Sequence, residues 1–251
     1  MLKYKTKDFF GKKELILGTW VSMPDPSIVE FAKAAGFDFI RIDNEYAPLD
    51  IGVIAQMIRV ANILDIPVIV RISRMEDISI LVSCGADGIM IPDGTLARAK
   101  EVIHRAKYAP IGKRSVASGC RAVSVSDLSF KEYHQKANKY ISVIIQIEDP
   151  QGMAEIDDIL KLEGVDMIGS GRSDISQIMG VPGEKQHPKV IEFEDTIIKK
   201  TLESGKIPML HVSDKTDCDV LMQKGVFAMV YGSDEDFLQK AMHSAVQKMK
   251  G

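Results

Sequence analysis

The sequence repeats one local pattern along its length: a short run of apolar, often β-branched residues, followed by an amphipathic segment with helical spacing. Most of the apolar runs lack polar alternation, which is typical of parallel strands buried on both faces. The eight runs that fit a strand span residues 15–22, 37–43, 66–72, 87–92, 140–147, 164–170, 207–212 and 226–231. A closed barrel needs this number of strand–helix units. We therefore predict an α/β fold of the (β/α)8 TIM-barrel class.

The helical segments and their boundary residues support the same fold. The segments with helical spacing include 26–35, 49–63, 95–107, 150–162, 187–204 and 214–224. The expected N-caps are Asp50, Asp149, Asp214 and Ser233, and the glycines expected to end helices are Gly36, Gly85, Gly205 and Gly225. Residues 108–128 break the pattern, and a loop of this length in a compact domain is usually functional or mobile.

An open, doubly wound sheet is the structural alternative. Such a sheet normally carries a glycine-rich phosphate-binding turn after its first strand. Here the first strand leads into residues 22–26, Ser-Met-Pro-Asp-Pro, which cannot form that turn. A length of 251 residues suits one barrel, and no linker or shift of composition divides the chain. We expect residues 1–251 to form one TIM-barrel domain.

Composition argues against several kinds of partner and site. The formal net charge of −3 disfavours nucleic acid or an anionic membrane as the main partner. No window reaches the roughly 18 apolar residues that span a bilayer, and the lysine-rich start lacks the cleavage pattern of a signal peptide. The three cysteines are odd in number and widely spaced, which disfavours a disulfide framework or a zinc site. We therefore expect a cytoplasmic protein with small-molecule partners.

Two carboxylates follow neighbouring strands at the end where barrel enzymes carry their active site. Glu148 and Asp174 lie just past predicted strands five and six. Carboxylates brought together at one mouth repel each other, which favours a bound cation, and oxygen ligands suit Mg²⁺ or Mn²⁺ better than zinc. The simpler interpretation is that both residues cap the helices that follow. Position alone leaves both interpretations open.

Other polar groups also stand at strand ends. Arg71 closes an otherwise apolar strand, so its guanidinium must reach the barrel mouth or be paired inside the barrel. It could bind a carboxylate or enolate oxygen at two points, or pair with Glu45 or Glu148 and hold the architecture. The segment GSGRSDIS (169–176) turns from strand to helix, where backbone N–H groups can face an anion. His211 is the only histidine at a predicted strand end.

Six segments, taken together in order and spacing, resemble the HpcH/HpaI aldolase family. They are LGTW (17–20), AGFDFIRIDNEYAPLD (35–50), PVIVRI (67–72), GADGIMIP (85–92), QIEDPQGM (146–153) and GSGRSDIS (169–176). The family includes 4-hydroxy-2-oxo-heptane-1,7-dioate aldolase and its 2-dehydro-3-deoxy-galactarate relatives. The resemblance implies a barrel of the phosphoenolpyruvate/pyruvate-binding type. It also implies a carbon–carbon lyase that cleaves or forms the bond between a 2-oxo acid, usually pyruvate, and an aldehyde.

The resemblance further implies roles for individual residues. Glu148 and Asp174 would hold the divalent metal, Mg²⁺ or Mn²⁺, which the oxo acid would chelate through its carbonyl and one carboxylate oxygen. Arg71 would stabilise the enolate, and the backbone of the turn at 171–174 would receive the carboxylate. The other residues implied to contact substrate are Gln146, Arg172, Ser173 and Asp174, and those implied to lie behind the site are Asp43 and Glu45.

The chain departs from the family pattern at three positions. Tyr46 stands where the family has a histidine that is the usual general base, and the partner aspartate of that histidine falls at Ser83. Arg172 stands where the family usually has proline, and it is expected to add positive charge near the oxo acid. These changes leave the metal site intact and put the ordinary proton transfer in question.

Three sources could supply the missing base: His211, Tyr46, or solvent or a buffer anion at the metal. A histidine titrates near pH 6.5 when unperturbed, so His211 needs little tuning. Tyr46, with an ordinary pKa of about 10, needs that value lowered by several units. Arg71 and a dication could partly achieve this.

Two further functions stay open. One is a related metal-enolate enzyme of citrate-synthase-like, citryl-lyase-like or malyl-lyase-like type. The other is a catalytically weakened homologue that binds pyruvate.

The resemblance also implies a homo-oligomer, a hexamer or trimer of dimers, in which the last helix (233–249) packs on a neighbour. The apolar residues at helical spacing in this segment are Phe237, Leu238, Ala241, Met242, Ala245 and Val246. The alternative is that this face closes its own barrel.

Overall fold

In the computed structural model, which describes residues 2–250, eight parallel strands form a closed barrel in chain order. The strands are β1 (Ile16–Val21), β2 (Phe39–Asn44), β3 (Val68–Ile72), β4 (Gly88–Ile91), β5 (Ser142–Ile147), β6 (Met167–Ser170), β7 (Ile207–Val212) and β8 (Ala228–Ser233). β1 pairs with both β2 and β8, which closes the sheet. The predicted TIM barrel is confirmed, and every predicted strand overlaps an observed one.

Helices surround the barrel. They are α1 (Thr6–Phe10), α2 (Ser27–Ala35), α3 (Ile51–Leu64), α4 (Ile78–Cys84), α5 (Leu96–Ala106), α6 (Arg121–Ser124), α7 (Phe130–Tyr140), α8 (Pro150–Lys161), α9 (Arg172–Ile178), α10 (Pro188–Glu203), α11 (Lys215–Gln223) and α12 (Asp234–Lys250). Each of the four predicted N-cap side chains accepts a backbone N–H of its helix. The four predicted stop glycines all have positive φ. The long loop predicted over 108–128 is interrupted by α6.

The barrel interior changes character along its axis. At the N-terminal end it is apolar, with Phe39, Ile69 and Ile144 buried among other large side chains. Side chains two residues apart on a strand point to the same face. The next inward positions on the same three strands are Arg41, Arg71 and Gln146, all buried. The apolar end therefore supports a polar layer at the carboxyl ends of the strands.

The N-terminal end of the barrel is filled by aromatic rings. Phe10 of α1 packs edge-on against Phe39, with ring centroids 5.2 Å apart. Gly18 makes room for this packing, because a Cβ there would lie 2.5 Å from the Phe39 ring. The cavity described below is thus closed from beneath.

Most of α12 stands away from the barrel. Leu238, Met242 and Val246 are 46%, 61% and 48% exposed, so the expectation that this face closes its own barrel is wrong. Phe237, at the start of the helix, does pack on the barrel, against Phe37 and Tyr231. Among the described residues, no helix combines the length and apolar character that crossing a membrane requires.

Candidate active site

A cavity of about 490 Å³ opens at the carboxyl ends of the strands, where barrel enzymes place their chemistry. The predicted site residues that line it are Asp43, Tyr46, Arg71, Gln146, Arg172, Ser173, Asp174 and His211. Glu45 and Glu148 lie behind this lining, and each contacts a residue that belongs to it. The fold therefore brings the predicted residues to one place.

Glu148 and Asp174 converge on Gly171. A Cβ at Gly171 would lie 2.5 Å from Oε2 of Glu148 and 3.1 Å from Oδ2 of Asp174, so a larger residue would fill the space between the carboxylates. Burial raises the pKa of Glu148 to about 7, and the charge of Asp174 acts in the same direction. A divalent cation would offset both effects, and oxygen donors suit Mg²⁺ or Mn²⁺. These residues fit the predicted metal.

The interpretation of the two carboxylates as helix caps fails for Glu148. Asp149 caps α8, whereas Glu148 accepts the backbone N–H of Asp93 at 3.0 Å. Asp174 does lie in the first turn of α9, whose N-terminus has no side-chain cap and whose dipole favours a negative charge. Within residues 2–250, no group of three or more His, Cys, Asp or Glu side chains is placed to hold a metal. A cation here would depend on two carboxylates, water and substrate oxygens.

Arg71 is held in one orientation. Its Nε and Nη2 donate to the two oxygens of Asp43 at 3.0 and 2.8 Å. Its Nη1 lies 3.0 Å from Oε2 of Glu45, without hydrogen-bond geometry. Its guanidinium carbon lies 4.1 Å from the centre of the Trp20 ring and 4.9 Å from that of Tyr46. The expected pair with Glu45 is present, but the second partner is Asp43 rather than Glu148.

Arg71 acts to lower the pKa of Tyr46, as expected, but it does not set the net direction. Removal from water at the cavity wall, with the charges of Glu45 and Asp174, raises the pKa of Tyr46 to about 12. Arg71 opposes this shift and is outweighed. A phenol with such a pKa keeps its proton at neutral pH, so Tyr46 can donate a hydrogen bond but is a poor base.

His211 reaches the cavity from β7, and its ring centroid lies 6.5 Å from that of Trp20. Although the His211 side chain is exposed to solvent, partial desolvation in the cavity and the charges of Arg41 and Lys185 lower the pKa of His211 to about 4. The pKa of His211 thus lies below the value of an unperturbed histidine. Its imidazole is neutral at pH 7 and keeps an acceptor nitrogen, but it is a weaker base than an unperturbed histidine.

Arg172 is bound by two carboxylates. Its Nε donates to Glu194 at 2.7 Å, and its Nη1 donates to both oxygens of Asp217 at 2.9 and 3.0 Å. These partners hold the pKa of Arg172 above its ordinary value although burial opposes the charge. The expected additional positive charge near the oxo acid is thus compensated within the protein. Arg172 instead joins the start of α9 to α10 and α11.

Ser83 lies outside the cavity. It belongs to α4, where its hydroxyl accepts a hydrogen bond from Nη2 of Arg114 at 3.3 Å. Tyr46, by contrast, lines the cavity. The positions of the family's histidine and aspartate are therefore not brought together within this chain.

Arg41 and Trp20 are cavity residues that the sequence analysis missed. Arg41 lies within β2, is 3% exposed, and stacks on Trp20 with its guanidinium carbon 3.8 Å from the ring centre. The sequence does place this cation inside the apolar run 37–43, which is as unusual as Arg71 at the end of its strand and could have indicated a functional residue. Arg41 was missed because only residues at the ends of predicted strands were considered.

Comparison with known proteins agrees with this geometry. The family model described as HpcH/HpaI aldolase/citrate lyase matches residues 17–241. A hydroxypyruvate/pyruvate aldolase of Pseudomonas aeruginosa is 29% identical over 241 residues, covering 95% of this chain and 90% of that protein. A 4-hydroxy-2-oxo-heptane-1,7-dioate aldolase of Escherichia coli is 31% identical over 229 residues, with 90% and 87% covered.

A solved structure also matches the whole chain. The crystal structure of the citrate synthase SbnG matches with a TM-score of 0.89 at 27% identity, covering 100% of this chain and 98% of that one. The matched range 17–241 contains every site residue described above. The chain belongs to the HpcH/HpaI aldolase/citrate lyase family.

Proposed function

We propose that this protein is a divalent-metal-dependent carbon–carbon lyase that cleaves or forms the bond between a 2-oxo acid, such as pyruvate, and an aldehyde. The observation that carries the proposal is the convergence of Glu148 and Asp174 on Gly171, in the same cavity as the fixed guanidinium of Arg71. The names of the two aldolase relatives, both of which refer to 2-oxo acids, support it.

In this proposal Glu148 and Asp174 hold Mg²⁺ or Mn²⁺. The amide Nε2 of Gln146 donates to Glu148 and fixes its carboxylate. Bound there, the cation supplies Lewis-acid polarisation of a carbonyl oxygen. The backbone N–H groups of Ser173 and Asp174, at the uncapped start of α9, receive the carboxylate of the oxo acid.

Arg71 stabilises the negative charge that develops on the carbonyl oxygen when a neighbouring C–H or C–C bond breaks. Asp43 and Glu45 hold the guanidinium before any ligand arrives. A donor fixed in this way needs no reorganisation during the reaction, which makes electrostatic stabilisation effective. Tyr46 covers the guanidinium from the mouth of the cavity.

Exchange of the methyl protons of pyruvate in D₂O, followed by NMR with Mg²⁺, tests the proposal. We expect exchange with Mg²⁺ and none after EDTA. Binding of pyruvate without exchange would support the alternative of a weakened pyruvate-binding homologue. Exchange that persists in EDTA would contradict the proposed metal dependence.

A citrate-synthase-like reaction is the second candidate, because the SbnG structure matches the whole chain. A screen that offers aldehydes in one arm, and oxaloacetate with acyl donors in the other, separates the two reactions. Condensation confined to the second arm would replace the aldolase proposal.

We expect His211→Asn to reduce aldol cleavage by about 10²–10⁴, the usual contribution of a general base. Tyr46→Phe should lose less than about tenfold, because the raised pKa of Tyr46 leaves almost no phenolate at neutral pH. A base with a lowered pKa acts in its deprotonated form above that value. With Mn²⁺ at saturation, so that Glu148 stays deprotonated, the kcat/KM of the parent should therefore change little from pH 8 to 5 and fall as the pH decreases through about 4. If neither variant loses more than about tenfold, neither His211 nor Tyr46 is the general base.

We also propose that the protein is a homo-oligomer, a hexamer or trimer of dimers, held in part by α12. Leu238, Met242 and Val246 form an apolar stripe that the chain itself leaves exposed. Light scattering should give a mass several times the 27.8 kDa of one chain. Met242→Lys should lower that mass, whereas Lys240→Glu, on another face of the helix, should not. A monomer at micromolar concentration would exclude the oligomer.

A further inference from the structure

Arg41 is a buried cation without a carboxylate partner. Its Nη1 donates to Sδ of Met90 at 3.2 Å, and its Nε has no hydrogen-bond partner among residues 2–250. None of the ion pairs formed by the described part of the chain includes Arg41. The side chain nevertheless lines the cavity.

The other two arginines of the cavity wall are bound differently. Arg71 contacts Asp43 and Glu45, and Arg172 contacts Glu194 and Asp217. Each of these guanidinium groups is therefore held by two carboxylates. Arg41 is 3% exposed, which is more deeply buried than most charged groups, and no carboxylate of the described residues lies within ion-pair distance of it.

A buried positive charge is stabilised when an opposite charge lies close to it. Water can satisfy the N–H groups of a guanidinium, but it does not compensate a net charge in a medium of low dielectric constant. Burial, and then the charge of Arg71, lower the pKa of Arg41 to about 9, so the guanidinium is still charged at neutral pH. The carboxylates of Asp43, Glu148 and Glu45 oppose this shift but form no ion pair with Arg41, and that of Asp43 is already engaged by the fork of Arg71.

The surroundings of Arg41 suit an anion that comes from the cavity. Nε1 of Trp20 is a second buried donor without a partner among the residues described. Trp20, Arg41 and His211 all line the same cavity. Trp20 stacks on Arg41 and lies near His211, so the three side chains surround one part of the cavity. Asp174, proposed for the metal, also lines the cavity, and Glu148 lies behind the lining; neither forms an ion pair with Arg41.

We propose that Arg41, with Nε1 of Trp20 and the ring of His211, binds a second anionic group of the substrates, distinct from the carboxylate of the 2-oxo acid. The assignment of this anionic group to a reactant rests on the proposed lyase function. It deepens that function by assigning a substrate class: one of the two reactants carries a carboxylate or a group of the same charge and size.

Trp20 provides a direct readout, because it is the only tryptophan in the sequence and lies against Arg41. In chloride-free buffer, after metal has been removed with a chelating resin, titration of the full chain with acetate should change the tryptophan emission saturably, and acetamide should not. Arg41→Met should lose the response, with the apparent Kd raised at least about tenfold. Arg41→Lys, which keeps the charge, should retain part of it, and Arg74→Met, an exposed arginine outside the cavity, should match the parent.

Thermal unfolding provides a second measurement of acetate binding that does not depend on tryptophan fluorescence. Acetate should raise the Tm of the parent but not that of Arg41→Met. In anion-free buffer the Tm of Arg41→Met should equal or exceed that of the parent, because removal of an unpaired buried charge does not destabilise the fold. An unchanged acetate response in Arg41→Met would place the anion at Arg71 instead and overturn the proposal. A lower Tm in anion-free buffer would also overturn it, since the charge of Arg41 would then be compensated within the protein.

Two kinds of substrate could supply the group, and turnover with Mn²⁺ distinguishes them. The first arm compares oxaloacetate with pyruvate as the oxo acid, and the second compares succinic semialdehyde with propionaldehyde as the acceptor. Arg41→Met should raise the KM of the substrate that carries the additional carboxylate at least about tenfold and leave the KM of its partner unchanged. Equal changes in all four substrates would overturn the assignment. Because the acetate titration needs neither metal nor turnover, failure of the lyase proposal and failure of this inference are separable.

Discussion

Glu148→Gln is expected to abolish tight Mn²⁺ binding and to reduce kcat/KM for cleavage of a 2-oxo acid at least about 10³-fold, or ~4 kcal/mol of transition-state stabilisation. The substitution keeps the shape of the side chain but removes one of the two carboxylates that converge on Gly171. It also places an amide against the Gln146 amide that now donates to Glu148. Calorimetry with Mn²⁺ reports the loss of binding without any assay of turnover.

A matched control separates loss of the metal from general disturbance of α8. Glu155 also accepts a backbone N–H, that of Leu96, but it lies outside the cavity. Glu155→Gln should bind Mn²⁺ as the parent does. If Glu148→Gln also bound Mn²⁺ with parental affinity, or if Asp174→Asn did, the assigned metal site would be wrong.

Arg71→Lys is expected to lower kcat by about 10²–10³, the cost of removing one preorganised donor from a developing oxyanion. The ammonium of lysine keeps the charge but lacks the fork that now engages Asp43 while facing Glu45. KM for the oxo acid should change less than kcat, because the lost interaction strengthens in the transition state. Steady-state kinetics at saturating Mn²⁺ measure both constants.

Lysine is the informative replacement because removal of the charge would also destabilise the fold. With a neutral residue such as methionine, Asp43 and Glu45 would stay buried without their cation, at a cost of about 3–5 kcal/mol. Arg71→Lys should therefore keep a Tm near that of the parent, and Arg74→Lys should change neither Tm nor kcat. A kcat for Arg71→Lys within threefold of the parent would show that Arg71 only holds the architecture.

The sequence predicted the barrel well because strand burial leaves a strong local signal. Runs such as 66–72 and 140–147 are apolar without alternation, and only strands buried on both faces tolerate that pattern. Helix boundaries followed from single residues such as Asp50 and Gly36, whose capping chemistry is local. The observed strand β8 is shifted by two residues from the predicted 226–231, since the register depends on pairing with β1.

Short helices escaped prediction for a physical reason. α1 and α6 have five and four residues, too few to show a helical period. α6 interrupts the segment 108–128, which reads as a loop because it is rich in small and polar residues. Tertiary contacts stabilise it there, among them the burial of Ala122 and Val123.

The positions of the candidate site residues could be predicted from the strand ends, but the pKa values and ion pairs of these residues could not. Position alone placed Arg71 and His211 at one cavity. The pKa of His211 depends on desolvation in the cavity and on Arg41 and Lys185, and that of Tyr46 on desolvation, on the adjacent Glu45 and on Asp174 from another loop. Arg172, which lines the cavity as expected, is also bound by residues of α10 and α11. Such pairings arise only when the barrel closes.

The aromatic packing of Phe10 on Phe39 has a kinetic consequence. Since it closes the barrel from beneath, the described residues leave the cavity one mouth, at the carboxyl ends of the strands. Reactants and products must therefore pass through the same opening. A ligand bound nearer the mouth would therefore stand in the path of one bound nearer Arg41 and Trp20.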